Sequence, residues 1–304
     1  MCNLYKNYCN ENYLPVQFVT NEKKTQVILN KRHKQYRYGF TLVELLVVVA
    51  IIGILATLIT AAAFRVIATT RVTTVRMKIN EIEMALEMYK SKFGEYPPML
   101  ADEKAVARHI KKRWPRCADT EIPNTNNKDS LVFWLGGFSN KDGKYCGFSV
   151  NKTTPFTVND TNSDAFDNEV FIELSEDKNV REIENKKRIV ISMGSKDGPV
   201  VYFRGKKGGG ANAYKNDTNE IWKETFSSDS YGTASPYYYE KSEESDKPDK
   251  WHNSETFQLI HPGADGKFGK TAQADRITNG SKLDDGDYDN ITNLGSSTIE
   301  ALLP

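Results

Sequence analysis

Histidine and cysteine, the residues most used for covalent and metal chemistry, are scarce in this chain: four of each among 304 residues. His33, His109, His252 and His261 fall in no His-Glu-x-x-His pattern, and no Gly-x-Ser-x-Gly elbow exists. No CxxC or Cys/His cluster has metal spacing, and no internal repeat is visible. The stretch from Gly263 to Thr271 imitates a phosphate loop, but Ala264 stands where its first glycine belongs, and Asp265 would turn negative charge toward phosphate. These absences argue against a hydrolase or nucleotide-binding enzyme and for a non-enzymatic role. Charge is nearly absent from one stretch as well. Between Phe40 and Phe64 the only charged residue is Glu44.

That run is the chain's strongest feature. Its 25 residues exceed the roughly 20 apolar residues that cross a bilayer as a helix, and are too many for a signal-peptide core. Lys31, Arg32, Lys34 and Arg37 precede it. A plain single-pass anchor would leave Glu44 unexplained, because an ionised group in lipid is expensive and usually functional. Six Lys/Arg in residues 20–39 against four in 65–84 favour a cytoplasmic N-terminus. The net charge of +1 hides a split: residues 1–39 carry seven Lys/Arg and two Asp/Glu, residues 40–304 carry 34 and 38. The basic segment suits an anionic cytoplasmic surface. The acidic remainder argues against nucleic acid as a partner.

Past Phe64 the helical pattern continues in water. Val75, Ile79, Ile82, Leu86, Tyr89 and Phe93 recur at steps of four and three, one face of a helix that packs on a core. Gly94 fits a C-cap and Pro97-Pro98 forbid continuation. A second short helix is expected over 101–113. Residues 131–135 are short and apolar, so a buried strand and a short helix are both open. Strands are expected at 170–174, 188–192, 200–203 and 256–260, with 194–199 turning the second into the third as a hairpin. Residues 205–220 and 227–250 read as long surface loops.

Gly39-Phe40-Thr41-Leu42-Val43-Glu44 and the apolar run behind it resemble the processing site of the type IV pilin and pseudopilin superfamily. The resemblance implies a leader, 1–39, cut by a prepilin peptidase between Gly39 and Phe40. It implies N-methylation of Phe40 and a role in assembly for Glu44. It also implies an α+β fold in which a long N-terminal helix packs on a small antiparallel sheet with long loops. The membrane-spanning, polymerising half would be 40–64 and the amphipathic half 65–94, with an extracytoplasmic domain over 95–304. In such an exported chain Cys117 and Cys146 are the candidate disulfide, two separate buried thiols being the alternative.

Near the C-terminus, Gly263-Ala264-Asp265-Gly266 is followed by Asp284, Asp285, Asp287 and Asp289. Clustered aspartates in a glycine-rich loop suit Ca²⁺, which takes six to eight oxygens. An EF-hand is excluded, since Asn290 and Ser296 stand where its glycine and glutamate belong. The segment 261–294 is similar to the calcium loop of the major pseudopilin of type II secretion. That similarity implies Asp265, Asp289 and Thr292 as ligands, with the His261 backbone and Asp287 as further candidates; solvated Asx-turns are the plain alternative. The expected role is a pseudopilus subunit of a type II secretion-like system, in the inner membrane with its domain in the periplasm or outside the cell. Its partners would be copies of itself, minor pseudopilins, the peptidase, an assembly platform and lipid. A type IV pilus or minor-pilin role in adhesion or DNA uptake, and a non-polymerising calcium-stabilised binding protein, are the alternatives.

Overall fold

The computed structural model describes residues 39–118, 128–158, 162–206, 226–240, 250–269, 286–295 and 298–302. Residues 1–38 with Cys2 and Cys9, most of the expected 205–220 loop, and Asp284 and Asp285 lie outside the described residues. Two units divide the chain, 1–57 and 58–304. Helix α1 is Leu42–Phe93. In the first unit its described residues carry exposed apolar side chains, among them Leu42, Leu46, Ile52 and Leu55. This helix is long and apolar enough to cross a membrane, with a mean hydropathy of 2.9 over its best window.

The second unit is α+β. Val75, Ile79, Ile82, Leu86 and Tyr89 of α1 are buried together with Ala85, as the periodicity requires, and Phe93 packs at the margin of that core. Gly94 ends the helix with φ +77°, its N–H donating to the Lys90 carbonyl at 2.6 Å. That left-handed conformation is open to glycine without steric cost. The two prolines beyond cannot extend the ladder. The Pro98 carbonyl instead accepts from Trp134 Nε1 at 2.8 Å and the Pro97 carbonyl from the Tyr202 hydroxyl at 2.9 Å. Helix α2, Glu103–Arg113, is capped by Asp102, which accepts from Ala105 N–H at 3.0 Å. Lys111, Lys112 and Arg113 complement the dipole at its end.

The open assignment at 131–135 resolves as the short helix. Val132–Gly136 is one π-helical turn, all five residues buried. Phe133 and Trp134 are stacked edge to face at 4.8 Å, and Phe133 meets Phe148 in the same geometry at 5.3 Å. The wide turn holds two large rings inside the core.

Strands β1 (Val180–Ile183), β2 (Lys186–Met193) and β3 (Lys196–Pro199) form one antiparallel sheet. A second sheet orders β10 (Ile291–Thr292), β9 (Phe257–His261) and β4 (Val201–Arg204). Two-stranded pairs join β5 (Phe226–Ser228) to β6 (Gly232–Ala234) and β7 (Tyr238–Glu240) to β8 (Lys250–Trp251).

Three expectations are corrected. The hairpin partner of β2 is β3, with Met193 opposite Lys196 and Val190 opposite Pro199. Pro199 closes that ladder, and β4 crosses to pair with β9. Residues 170–174 form no strand. Their backbone bonds go singly, Phe171 N–H to Leu135 and Tyr145 N–H to the Leu174 carbonyl, while the Phe171 ring lies 4.9 Å from that of Tyr89. The expected loop at 227–250 contains most of β5, all of β6 and β7, and the first residue of β8; its residues 241–249 lie outside the described residues.

Candidate functional site

Three places carry the residues singled out by the sequence. The first is the start of α1. Gly39, Phe40 and Thr41 precede the helix, and Phe40 is 82% exposed. Thr41 N–H and Thr41 Oγ1 both donate to Glu44 Oε2, at 2.9 and 2.8 Å. Glu44 N–H donates back to Thr41 Oγ1 at 3.1 Å. This is a reciprocal capping box: the helix begins with four N–H groups lacking intrahelical partners, and Thr-x-x-Glu satisfies two donors at once. Sequence reasoning assigned Glu44 to assembly and missed Thr41, although the Thr-x-x-Glu spacing was readable.

The second place is the loop after β9. Gly263 has φ +63°, and a Cβ there would lie 2.2 Å from the Asp289 carbonyl oxygen, so the turn and Asp289 touch through backbone. Asp289 Oδ2 accepts from Ala264 N–H at 2.6 Å and from Asp265 N–H at 2.8 Å. Asp265 Oδ1 accepts from Lys267 N–H at 2.7 Å, and Lys196 Nζ donates to the Asp265 carbonyl at 2.8 Å. Burial raises the Asp289 pKa, the Asp265 charge raises it further, and the two amide bonds oppose both. Two like charges beside one glycine turn are the part of this arrangement that a cation would relieve.

The other candidate ligands sit differently. The Asp287 carboxylate is buried and turned inward, Oδ1 accepting from Asn290 Nδ2 at 2.8 Å, Tyr237 OH at 3.1 Å and Gly269 N–H at 3.2 Å. Thr292 is buried on β10, its Oγ1 accepting from Leu294 N–H at 3.2 Å. His261 pairs through its backbone with Ile291. Its ring is fully buried: Nε2–H donates to the Ile191 carbonyl at 3.1 Å, and Nδ1 accepts from Gly263 N–H at 3.2 Å. Those partners fix the neutral tautomer, and burial pulls its pKa down to about 4. Among the described residues no group of three or more His, Cys, Asp or Glu is arranged to hold a metal ion. The turn therefore offers two carboxylates, and any further oxygens would come from backbone and water.

The third place is the cysteine pair. No disulfide joins Cys117 to Cys146. Cys146 instead donates its S–H to the Lys144 carbonyl at 3.4 Å, while Cys117 follows the end of α2, its N–H bonded to the Trp114 carbonyl.

One string of polar groups joins α1 to α2. Glu95 Oε1 meets His109 Nδ1 at 3.0 Å, and His109 Nε2 meets the Tyr89 hydroxyl at 2.6 Å. The His109 bond, with Arg204 on the other oxygen, holds the Glu95 carboxyl down at about 2. Tyr89 and His109 have no exposed surface and the Glu95 side chain is 19% exposed, so this string pins α1 to α2 with only its carboxylate end at the surface.

Against known families, residues 34–60 match the prokaryotic N-terminal methylation motif. That motif is the signature of type IV pilins and pseudopilins, and this chain carries it. A single-pass, membrane-anchored, pilin-like subunit fits the motif together with the one long apolar helix. Such a motif entails prepilin-peptidase processing and polymerisation with other pilins. No curated protein and no solved structure matches the chain.

Proposed function

We propose that the chain is a subunit of the pseudopilus of a type II secretion-like system, anchored in the inner membrane and polymerising through the N-terminal half of α1 to drive export. The observation that carries the reading is the methylation motif placed at the start of a helix whose apolar side chains are exposed. Gly39 and Phe40 form the processed bond. Once Phe40 carries a free, methylated amine, that cation lies a few residues from Glu44. The carboxylate pairs with such an amine of a neighbouring subunit and sets the axial register. An unpaired carboxylate in lipid is costly, so this pairing favours the assembled state.

The turn holding Asp265 and Asp289 is read as a calcium site. Two carboxylates beside a glycine turn support it, with Thr292 and the His261 backbone on the adjoining strands β10 and β9. Asp287, turned to Tyr237 and Asn290, acts as an interior brace. Bound calcium would tie the turn to β10 and stabilise the domain.

The role is tested by deletion. A strain lacking this chain should lose proteins from its culture medium while keeping its surface pili. Normal export with loss of surface filaments would replace this reading by the type IV pilus one.

A further inference from the structure

One cavity concentrates positive charge, although residues 40–304 as a whole carry an excess of acid. It is bounded by the residues after α1, by α2 and by the end of β4, and has a volume of about 480 Å³. Lys104, Arg108 and Lys112 of α2 line it, together with Arg204 and Lys206. Steps of four put the first three on one helix face. Glu95 and Asp102 are the carboxylates of the lining, so five cations face two anions. Both carboxylates are already engaged. Glu95 Oε2 accepts from Arg204 Nη2 at 3.0 Å, and its Oε1 meets His109 Nδ1 at 3.0 Å with Lys112 Nζ 3.9 Å away. Asp102 caps α2. Arg108 forms no ion pair with a described residue. The helix does not need this arrangement. Lys104 stands in its first turn, where the dipole disfavours a cation, and like charges at steps of four weaken a helix.

We infer that this cavity binds a soluble phosphate monoester of a small hydroxyl-bearing molecule, of the sugar phosphate class. The inference does not depend on the polymerising role proposed above. A phosphate monoester carries about −1.5 to −2 charge at pH 7, which offsets the surplus cations and relieves their mutual repulsion. Arg108 supplies a fork that matches two phosphate oxygens, and the lysines supply point charges. The rest of the lining suits the rest of the molecule. Pro98, Met99 and Ala105 are buried and give the cavity an apolar wall. A carboxylate has roughly four acceptor sites, so Glu95 and Asp102 keep lone pairs for ligand hydroxyls. The volume falls within the roughly 300–1,000 Å³ of small-molecule sites and exceeds what a bare phosphate fills. Lipid headgroups are remote: Gly94 lies about 45 Å along the helix from Phe64 at ~1.5 Å per residue. A nucleic-acid strand spreads its charge along the chain, whereas these cations converge on one cavity.

The test uses the full chain extracted from membranes in neutral detergent, with chelator present and ionic strength held constant by sodium chloride. Glucose 6-phosphate should raise the melting temperature by several degrees, and glucose at the same concentration should not. Lys104→Glu and Arg108→Glu should each abolish the rise. Without ligand both should melt no lower than the unmodified chain, because each removes repulsion along α2. Arg116→Glu, an exposed cation outside the cavity, should keep the rise. Equilibrium dialysis with labelled glucose 6-phosphate reads binding directly, and should show it in the unmodified chain and Arg116→Glu but not in the cavity variants. Absence of binding to the unmodified chain overturns the site, as does binding that survives both cavity variants. Stabilisation by micelles doped with phosphatidic acid, without any by glucose 6-phosphate, assigns the cavity to a lipid headgroup. A larger rise from a single-stranded oligonucleotide assigns it to nucleic acid. Either result overturns the soluble monoester.

Discussion

The start of α1 and the loop after β9 use one device at two ranges. In each, a carboxylate takes backbone N–H groups that would otherwise lack a partner. Glu44 reaches Thr41, three residues away; Asp289 reaches Ala264 and Asp265, 25 and 24 residues away. The local version is stamped on the sequence as Thr-x-x-Glu followed by an apolar run. The long-range version exists only once β9 and β10 have paired. The local contact follows from spacing alone, whereas the long-range pair is suggested in sequence only by a resemblance and takes its geometry from tertiary contacts. Four perturbations sharpen that contrast.

The largest effect belongs to Gly39. Replacing it by valine crowds the bond that the peptidase must reach, so Gly39→Val should leave the full-length chain where the unmodified protein begins at methylated Phe40. Intact mass of the extracted protein reads this as all or none. A mature terminus anywhere else removes the pilin-type processing site.

Glu44 comes next, because it carries both a cap and a charge. Losing a cap costs about 1 kcal/mol, too little to abolish a helix of this length. Glu44→Gln keeps a capping-box side chain but removes the charge. Both Glu44→Ala and Glu44→Gln should insert and lose the crosslinked ladder. A normal ladder from the Gln variant would reduce Glu44 to its capping role.

On the long-range side, His261 should govern acid stability. Its folded pKa of about 4 lies below the ordinary histidine value of 6.5. The stability it contributes is therefore complete above pH 6.5 and is lost as pH falls from there toward 4. The shift corresponds to about 3 kcal/mol. Thermal melting between pH 7 and 4 should fall steeply, and His261→Gln should flatten that dependence while lowering the melting point at pH 7.

Asp289 gives the smallest effect, and its sign depends on calcium. Its folded pKa is raised, by burial first and by the Asp265 charge. In chelator its contribution is complete below the ordinary aspartate range and fades as pH rises through the raised value. Calcium reverses that preference by favouring the charged form, and at a hundredfold excess over its Kd would add ~2.7 kcal/mol. Melting near pH 7 should rise with calcium in the unmodified chain, and not in Asp289→Ala or Asp265→Ala. Asp287→Ala should lower melting with and without calcium, because it removes the brace under Tyr237 and Asn290. Indifference of the unmodified chain to chelator reduces the turn to a hydrogen-bonded loop.

How far the sequence could be read follows the same division. The α1 stripe, its stop at Gly94-Pro97-Pro98, α2, β2 and β9 were all legible, because periodicity and punctuation are local signals. The hairpin partner was not. A turn at 194–199 fits either β3 or β4, and the choice is made where Pro199 ends one ladder and β9 offers another. Residues 170–174 have strand composition, yet Phe171 is drawn to Tyr89 of α1, a pull that composition does not reveal. Asp287 and Asp289 are two residues apart and look equivalent in sequence. Tyr237, 50 residues upstream, turns the first inward, while the glycine turn holds the second.

The capping box at Thr41 and Glu44 bears on how the chain meets a protease. Peptidases bind their substrates extended, since a peptide bond folded into a helix is closed off by its own i to i−4 hydrogen bonds. A helix starting one turn earlier would wind Gly39-Phe40 into that ladder. By fixing Leu42 as the first helical residue, the Thr41–Glu44 clasp keeps the Gly39–Phe40 bond unwound at the edge of the apolar run, with Phe40 exposed. With cleavage between Gly39 and Phe40 as proposed above, Thr41 would present the bond, and Thr41→Ala should slow processing without touching either residue of it.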